Sequence, residues 1–274
     1  VYKAVGGVDL ELAPGERVGL VGESGSGKSV TALSLLRLVP TPPGTITAGR
    51  VVIDGEDQLA ASTDTLRSLR GGKVAYVFQD PLTTLHPLFT VGQQIVESVQ
   101  AHQPISRKDA EARAIELLER VQIPSARARF GAFPHELSGG MRQRVCIAMA
   151  LANDPELIIA DEPTTALDVT VQAQVLKLMR GLSEQQGSAV LFITHDFGVV
   201  SELCDRVAVM YAGHIVQIGP TQEVLHAPAH PHTRTPIHRV PAPAQPDPRP
   251  DPLALLPPPR LPLPPGCTLP ARTR

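Results

Sequence analysis

Gly22-Glu23-Ser24-Gly25-Ser26-Gly27-Lys28-Ser29 follows the apolar run Arg17-Val18-Gly19-Leu20-Val21 and precedes Val30-Thr31-Ala32-Leu33-Ser34-Leu35-Leu36. The octapeptide reads G-x-x-x-x-G-K-S. Its flanks predict a strand before it and a helix after it that ends near Pro40. That order is what a phosphate-binding loop requires. Glycines let backbone wrap closely around phosphate oxygens, because no Cβ blocks the approach. Inward-facing N–H groups and the positive end of the following helix then favour an anion. Lys28 supplies a mobile positive charge for the β- and γ-phosphates, and Ser29 offers a hydroxyl to Mg²⁺. The predicted nucleotide contacts are Gly22, Glu23, Ser24, Gly25, Ser26, Gly27, Lys28, Ser29 and Val30. Residue frequencies give roughly one chance match of this pattern per hundred proteins of similar length. A Gly-rich surface turn is the plain alternative, and the strand and helix around the loop argue against it.

Outward from the loop, the chain alternates strand and helix signals. Residues 1–13 predict a strand, with Val8, Leu10 and Leu12 alternating against polar neighbours. Thr45 to Asp54 predicts another, closed by a hairpin turn at Asp54-Gly55. Ser62 to Leu69 reads as a short helix, and Lys73 to Phe78 as a buried strand ending at Gln79. From Asp80 onward prolines break the chain and helical patterns take over. Ser106 to Val121 is amphipathic, with Ala110, Ala114, Leu117, Leu118 and Val121 on one stripe and a capped start at Ser106 and Asp109. Leu157 to Asp161 and Ser188 to Thr194 are near-continuous apolar runs, as central parallel strands are. Arg206 to Met210 and His214 to Ile218 predict a hairpin around Ala212-Gly213, followed by a helical turn at Thr221 to His226. The fold class is therefore α/β. We expect a P-loop core with a mostly parallel central sheet, an antiparallel N-terminal β subdomain, and a helical insertion at about residues 80–152.

Composition narrows the class. The formal net charge is −2 over 274 residues, with Lys and Arg scattered among acids, so no nucleic-acid footprint is present. No apolar run nears the roughly 18 residues that cross a bilayer, so any membrane role is played from the surface. Cys146, Cys204 and Cys267 form no C-x-x-C pair, and the first two read as buried thiols of a reducing cytoplasm. The chain opens at Val1 in strand-like sequence, which predicts a preceding N-terminal segment. Residues 1–226 are expected to form one domain. Residues 227–274 are expected to form a Pro-rich extension, since 12 of the 25 residues from Pro241 to Pro265 are proline. His226, His230, His232 and His238 read as solvated tail histidines rather than a metal site.

The candidate chemistry sits at predicted strand ends, where open α/β sheets bind ligands. Asp161 is placed to hold Mg²⁺ through water opposite Ser29, and Glu162 to polarise the attacking water. Gln79 suits a contact to water or Mg²⁺, and His195 can donate to a γ-phosphate oxygen. Leu137-Ser138-Gly139-Gly140 opens a second helix and offers a second anion site by the same physics. If the two loops lie far apart in the fold, both can serve one nucleotide only when two chains pair head to tail.

In this order the motifs resemble the ATPase subunits of ABC transporters. The resemblance rests on the phosphate loop, Gln79, Leu137-Ser138-Gly139-Gly140-Met141-Arg142-Gln143, Leu157–Asp161 with Glu162, Ala166-Leu167-Asp168, and His195. It covers roughly residues 1–226. It implies an ATP sandwich dimer with Mg²⁺, in which Leu137, Ser138, Gly139, Gly140 and Gln143 act on the partner's nucleotide. It also assigns Asp168 to the family's D-loop. Phe78-Gln79-Asp80-Pro81, Leu85-His86-Pro87 and Ala160-Asp161-Glu162-Pro163-Thr164-Thr165 are similar to the oligopeptide, dipeptide and nickel importer branch. Gly27-Lys28-Ser29-Val30-Thr31-Ala32-Leu33 resembles the "D" ATPase of that branch, and His230-Pro231-His232-Thr233-Arg234 the start of its extension.

That branch implies peptide uptake, with nickel, glutathione and other small solutes as alternatives. The implied partners are a second ATPase, two transmembrane permeases and an extracytoplasmic solute-binding protein. The implied location is the cytoplasmic face of the inner membrane. The branch's extension carries several cysteines for an iron–sulfur site, whereas here only Cys267 follows Gly266, so no iron–sulfur cluster is expected. The family stacks an aromatic on adenine early in the chain, and Tyr2 is the only candidate for it. A soluble ABC protein of DNA repair or translation is the competing class. The slightly acidic balance and the single ATPase unit argue against it. A fragment of a fused tandem ATPase is a further alternative.

Overall fold

The computed structural model describes residues 3–165 and 167–228. The extension from residue 229 onward, with His230, His232, His238 and Cys267, lies outside the described residues, as do Tyr2 and Ala166. In chain order the elements begin with β1 (Arg17–Val21), α1 (Lys28–Leu35), β2 (Val52–Ile53), β3 (Glu56–Asp57), α2 (Thr63–Leu69) and β4 (Val74–Val77). Five helices come next: α3 (Pro81–Thr84), α4 (Val91–Gln100), α5 (Arg107–Arg120), α6 (Ala126–Arg129) and α7 (Gly139–Ala150). The chain then returns to the sheet with β5 (Leu157–Asp161), α8 (Val169–Gln186), β6 (Ala189–Thr194), α9 (Phe197–Leu203), β7 (Arg206–Tyr211), β8 (His214–Pro220) and α10 (Thr221–His226).

The main sheet has the order β4-β5-β6-β1-β7-β8. The first five strands run parallel, and β8 is antiparallel to β7. The register aligns their carboxyl ends: Val77 lies opposite Ala160, Ala160 opposite Phe192, and Val21 opposite both Thr194 and Val209. The segments leaving β1, β4, β5 and β6 therefore emerge along one edge. Successive strand residues serve opposite faces. Ile158 and Ala160 pack with Val77, Val190 and Phe192 on one face, against α7, α8 and α9. Ile159 packs with Leu20, Leu191 and Ile193 on the other, against Ala32, Leu36, Leu66 and Leu69 from the α1 and α2 region.

Helix starts follow the sequence signals more closely than helix ends: α1 stops at Leu35 rather than near Pro40. Ser62, Thr90, Ser106, Ser138 and Asp168 each cap a helix by accepting a backbone N–H, as predicted for Ser106. The chain between β4 and β5 carries helices where an insertion was predicted, and the whole predicted stripe of α5 is buried. Two expectations need correction. Residues 3–13 form no strand beyond an isolated bridge from Gly7 to His214, although Val8, Leu10 and Leu12 do pack on the core. Alternation reports which side chains are buried, not whether the backbone finds a partner. The strand predicted over Thr45 to Asp54 shrinks to Val52–Ile53, so the antiparallel unit is a two-residue hairpin closed at Asp54 (φ 51°) and Gly55 (φ 79°).

Leu117 of α5 is completely buried. Leu117→Ala should lower the unfolding free energy by about 3 kcal/mol through lost transfer energy and a residual cavity, as measured by denaturant titration. A change below about 0.5 kcal/mol would contradict the packing described.

Candidate functional site

The phosphate loop spans the gap between β1 and α1. Gly27 has φ 104° at the start of α1, a left-handed conformation that favours glycine. No side chain caps α1, in contrast to the capped helices of the fold, so its first amides are available to an anion. Gly22 is required for a different reason. A Cβ there would lie 2.2 Å from the Met210 carbonyl oxygen, so β7 packs directly against the loop. The β7–β8 turn adds a tie, because the Gly213 N–H donates to the Ser26 carbonyl at 2.9 Å. The Lys28 side chain is buried inside the loop and donates to the carbonyls of Gly22 (2.8 Å) and Glu23 (2.9 Å). Burial lowers the Lys28 pKa, and the charges of Glu162 and Asp161 oppose that shift.

At the end of β5, Asp161 is buried, and its two oxygens have separate partners. Ser29 Oγ donates to Oδ1 at 3.0 Å, and Tyr76 Oη donates to Oδ2 at 2.8 Å. Burial raises the Asp161 pKa, while the hydrogen bonds from Tyr76 and Ser29 pull it down. Burial also raises the Tyr76 pKa, so the phenol stays a donor. Among the described residues no group of three or more His, Cys, Asp or Glu could form a metal cage. Mg²⁺ does not need one. It is held by one or two carboxylates with water and substrate phosphates, through hard oxygen atoms. A buried carboxylate beside a hydroxyl, 3.0 Å from it, fits that donor set.

The next residue, Glu162, has φ 45°, a sparsely populated conformation of the kind that clusters at functional sites. Its backbone N–H still donates to Ile193 across the sheet at 2.9 Å. Its carboxylate gathers three neighbours. Gln79 Nε2 donates to Oε2 at 3.2 Å, Thr165 Oγ1 donates to Oε2 at 2.9 Å, and His195 Nδ1 lies 3.2 Å from Oε1. The sheet edge thus joins Lys28, Ser29, Gln79, Asp161, Glu162 and His195, which lie 167 positions apart at the extremes. Gln79 meets Glu162 rather than the Ser29–Asp161 pair, so as a metal ligand it would have to use its amide oxygen.

Tyr76 and Thr165 belong to this site, although the motifs did not single them out for it. For Tyr76 the signal was available: a lone phenol in an apolar strand must find a hydrogen-bond partner.

The Leu137–Gly140 stretch groups elsewhere. Ser138 and Gly139 are exposed at the start of α7, and the Ser138 side chain accepts from the Met141 N–H at 3.4 Å. A Cβ on Gly140 would lie 2.5 Å from Val171, and one on Gly139 would lie 3.6 Å from Leu167. This stretch therefore neighbours Asp168, which is exposed and caps α8 by accepting from the Val171 N–H at 3.0 Å. Leu137 and Gln143 are the exceptions within the motif. Leu137 is buried in the core, and Gln143 is 1% exposed with its Nε2 unpartnered. Within this chain both side chains are buried, which leaves Ser138 and Gly139 as the exposed part of the motif.

Comparisons with known proteins identify the family. A family model described as "ABC transporter" matches residues 5–165. The chain is 52% identical over 241 residues to the probable peptide ABC transporter ATP-binding protein y4tR of Sinorhizobium fredii, covering 88% of this chain and 72% of that one. It is 54% identical over 230 residues to the probable D,D-dipeptide transport ATP-binding protein DdpD of Escherichia coli, covering 84% and 70%. The dimeric ATP-binding cassette MJ0796, in a post-hydrolysis state bound to ADP and Pi, superposes with a TM-score of 0.71 at 31% identity, covering 80% of this chain and 91% of that chain. Given the phosphate loop, the aligned strand ends and these matches, the chain belongs to the ABC transporter family of P-loop ATPases.

Proposed function

We propose that this chain is the ATP-binding subunit of an ABC importer, hydrolysing ATP to drive uptake of peptides of the oligopeptide or dipeptide type. The observation that carries the hydrolytic reading is the convergence of Lys28, Ser29, Asp161, Glu162, Gln79 and His195 on one sheet edge beside an uncapped helix start. The peptide reading draws support from relatives of 52% and 54% identity whose names specify peptide and D,D-dipeptide transport.

In this reading residues 1–226 are the ATPase domain, with the helical subdomain at about 80–152, and 227–274 are an extension. Gly22 to Val30 bind the phosphates, and Lys28 turns from the loop carbonyls to the β- and γ-phosphates. Ser29 and, through water, Asp161 would hold Mg²⁺, with Gln79 as a further oxygen donor. When bound, Mg²⁺ neutralises charge on the β- and γ-phosphate oxygens. Glu162 accepts a proton from the attacking water. Gln79 and Thr165 hold its Oε2, leaving Oε1 on the His195 side. His195 donates to the γ-phosphate.

Ser138, Gly139 and Gly140 serve the nucleotide of a second ATPase subunit, and Asp168 lies between the two subunits. Support for this arrangement comes from the exposure of Ser138, Gly139 and Asp168 and from the dimeric state of the related cassette. None of the described helices is long and apolar enough to cross a membrane. We therefore place transport itself in two permease subunits fed by an extracytoplasmic solute-binding protein. The ATPase would then lie peripherally on the cytoplasmic face of the inner membrane. Exposed Phe78, Leu82, Leu88 and Phe89 offer apolar surface beside Gln79 for the permeases.

Three variants test the assignments. Glu162→Gln should bind ATP yet turn over roughly 10²–10⁴-fold more slowly, as expected for loss of a positioned base; undiminished phosphate release would remove Glu162 from that role. Lys28→Ala should weaken ATP binding by about 10- to 100-fold, read by fluorescent-nucleotide titration, because a charge-assisted contact is lost. Ser138→Arg should abolish hydrolysis and spare ATP binding by the isolated subunit. Loss of binding in the isolated subunit would contradict the two-chain site.

A further inference from the structure

Tyr76 has no part in the hydrolytic mechanism, yet it holds half of the Asp161 carboxylate. The sheet register explains how it reaches. Tyr76 on β4 lies opposite Ile159 on β5, and Asp161 is two residues further along β5, on the same face as Ile159. The phenol therefore reaches diagonally along that face to Oδ2 at 2.8 Å. The ring is fixed from its other side by Phe78, also two residues along, with ring centroids 4.5 Å apart. Tyr76 itself packs against the core cluster that contains Leu20, Ile159 and Leu191.

The consequence is geometric. A carboxylate can rotate about its terminal torsion, which is broad. With Oδ2 accepting from the phenol, Oδ1 is left facing Ser29 at 3.0 Å. We propose that Tyr76 is a positioning residue for the metal: it fixes the Asp161 carboxylate so that Oδ1 and the Ser29 hydroxyl present adjacent oxygens to one divalent cation. This role rests on the assignment of Mg²⁺ to Ser29 and Asp161 and adds to it the residue that orients the ligand. Outer hydrogen-bond partners of metal ligands commonly hold tenfold or more of the affinity. Removing the hydroxyl would also leave Oδ2 buried without a donor.

The test uses Mn²⁺ as a spectroscopic probe of cation binding by the full chain with ATP, followed by electron paramagnetic resonance. Wild type, Tyr76→Phe, Asp161→Asn and the double variant are compared. ATP affinity is measured separately in excess chelator. Tyr76→Phe keeps the ring against Phe78. It should weaken Mn²⁺ binding about 10- to 100-fold, leave chelator-state ATP affinity unchanged, and add nothing in the Asp161→Asn background. Wild-type Mn²⁺ affinity in Tyr76→Phe would overturn the inference. So would an equal loss of metal-free ATP binding, or an equal loss on top of Asp161→Asn, because each would show that Tyr76 does not act through Asp161. Unchanged Mn²⁺ binding in Asp161→Asn would overturn the metal assignment itself, which separates the two failures. Tyr76→Met, which fills the site without a hydroxyl, should reproduce the Phe result. A wild-type response from Tyr76→Met would also overturn the inference.

Discussion

Parallel pairing of five strands with their carboxyl ends aligned is the constraint on which the rest of this molecule depends. Val21, Val77, Asp161 and Thr194 end or nearly end their strands at one level of the sheet. The loops leaving these strands therefore meet although they are far apart in sequence. Parallel strands need crossovers, and the crossovers supply the helices that bury both faces. The same geometry that builds the core delivers a phosphate loop, a buried carboxylate, a second carboxylate, an amide and an imidazole to one edge.

Within that edge the two adjacent carboxylates have opposite environments. Asp161 continues the strand, is buried, and is met by two neutral hydroxyls. Glu162 leaves the strand through a left-handed residue and is met by an amide, a hydroxyl and an imidazole nearer solvent. A buried anion held by neutral donors suits a cation, because desolvated charge is costly without a counter-charge. A partly exposed carboxylate beside a titratable ring suits proton transfer. One backbone turn separates the two roles.

The phosphate loop is supported from beneath as well as along the chain. The Met210 carbonyl presses on Gly22, and the Gly213 N–H holds the Ser26 carbonyl. Gly213 in turn accepts from the Gly6 N–H at 2.7 Å. The N-terminal segment, the β7–β8 turn and the loop form one backbone layer. The segment's alternating Val8, Leu10 and Leu12 explain why it reads as a strand, and their packing is real. Among the described residues its pairing with the β7–β8 turn is confined to Gly6 and Gly7, too little to make a strand.

By itself the sequence determined the chemistry and its order. The glycines and Lys28 of the loop, the apolar runs that end at Asp161 and His195, the stripe of α5 and the helix caps are all local. Conformation and burial at those positions depend on a few neighbouring residues. The tertiary structure alone decided what crosses between elements. Tyr76 meets Asp161 across 85 positions because β4 and β5 pair in one register, and a slip of one residue would turn the ring to the other face. Gln143 turns inward although its motif begins on the surface, because a helix carries successive residues around its axis, and five positions on from Ser138 the side chain lies in the core. Local pattern fixes which groups exist and which strands and helices carry them. Long-range register fixes which of them touch.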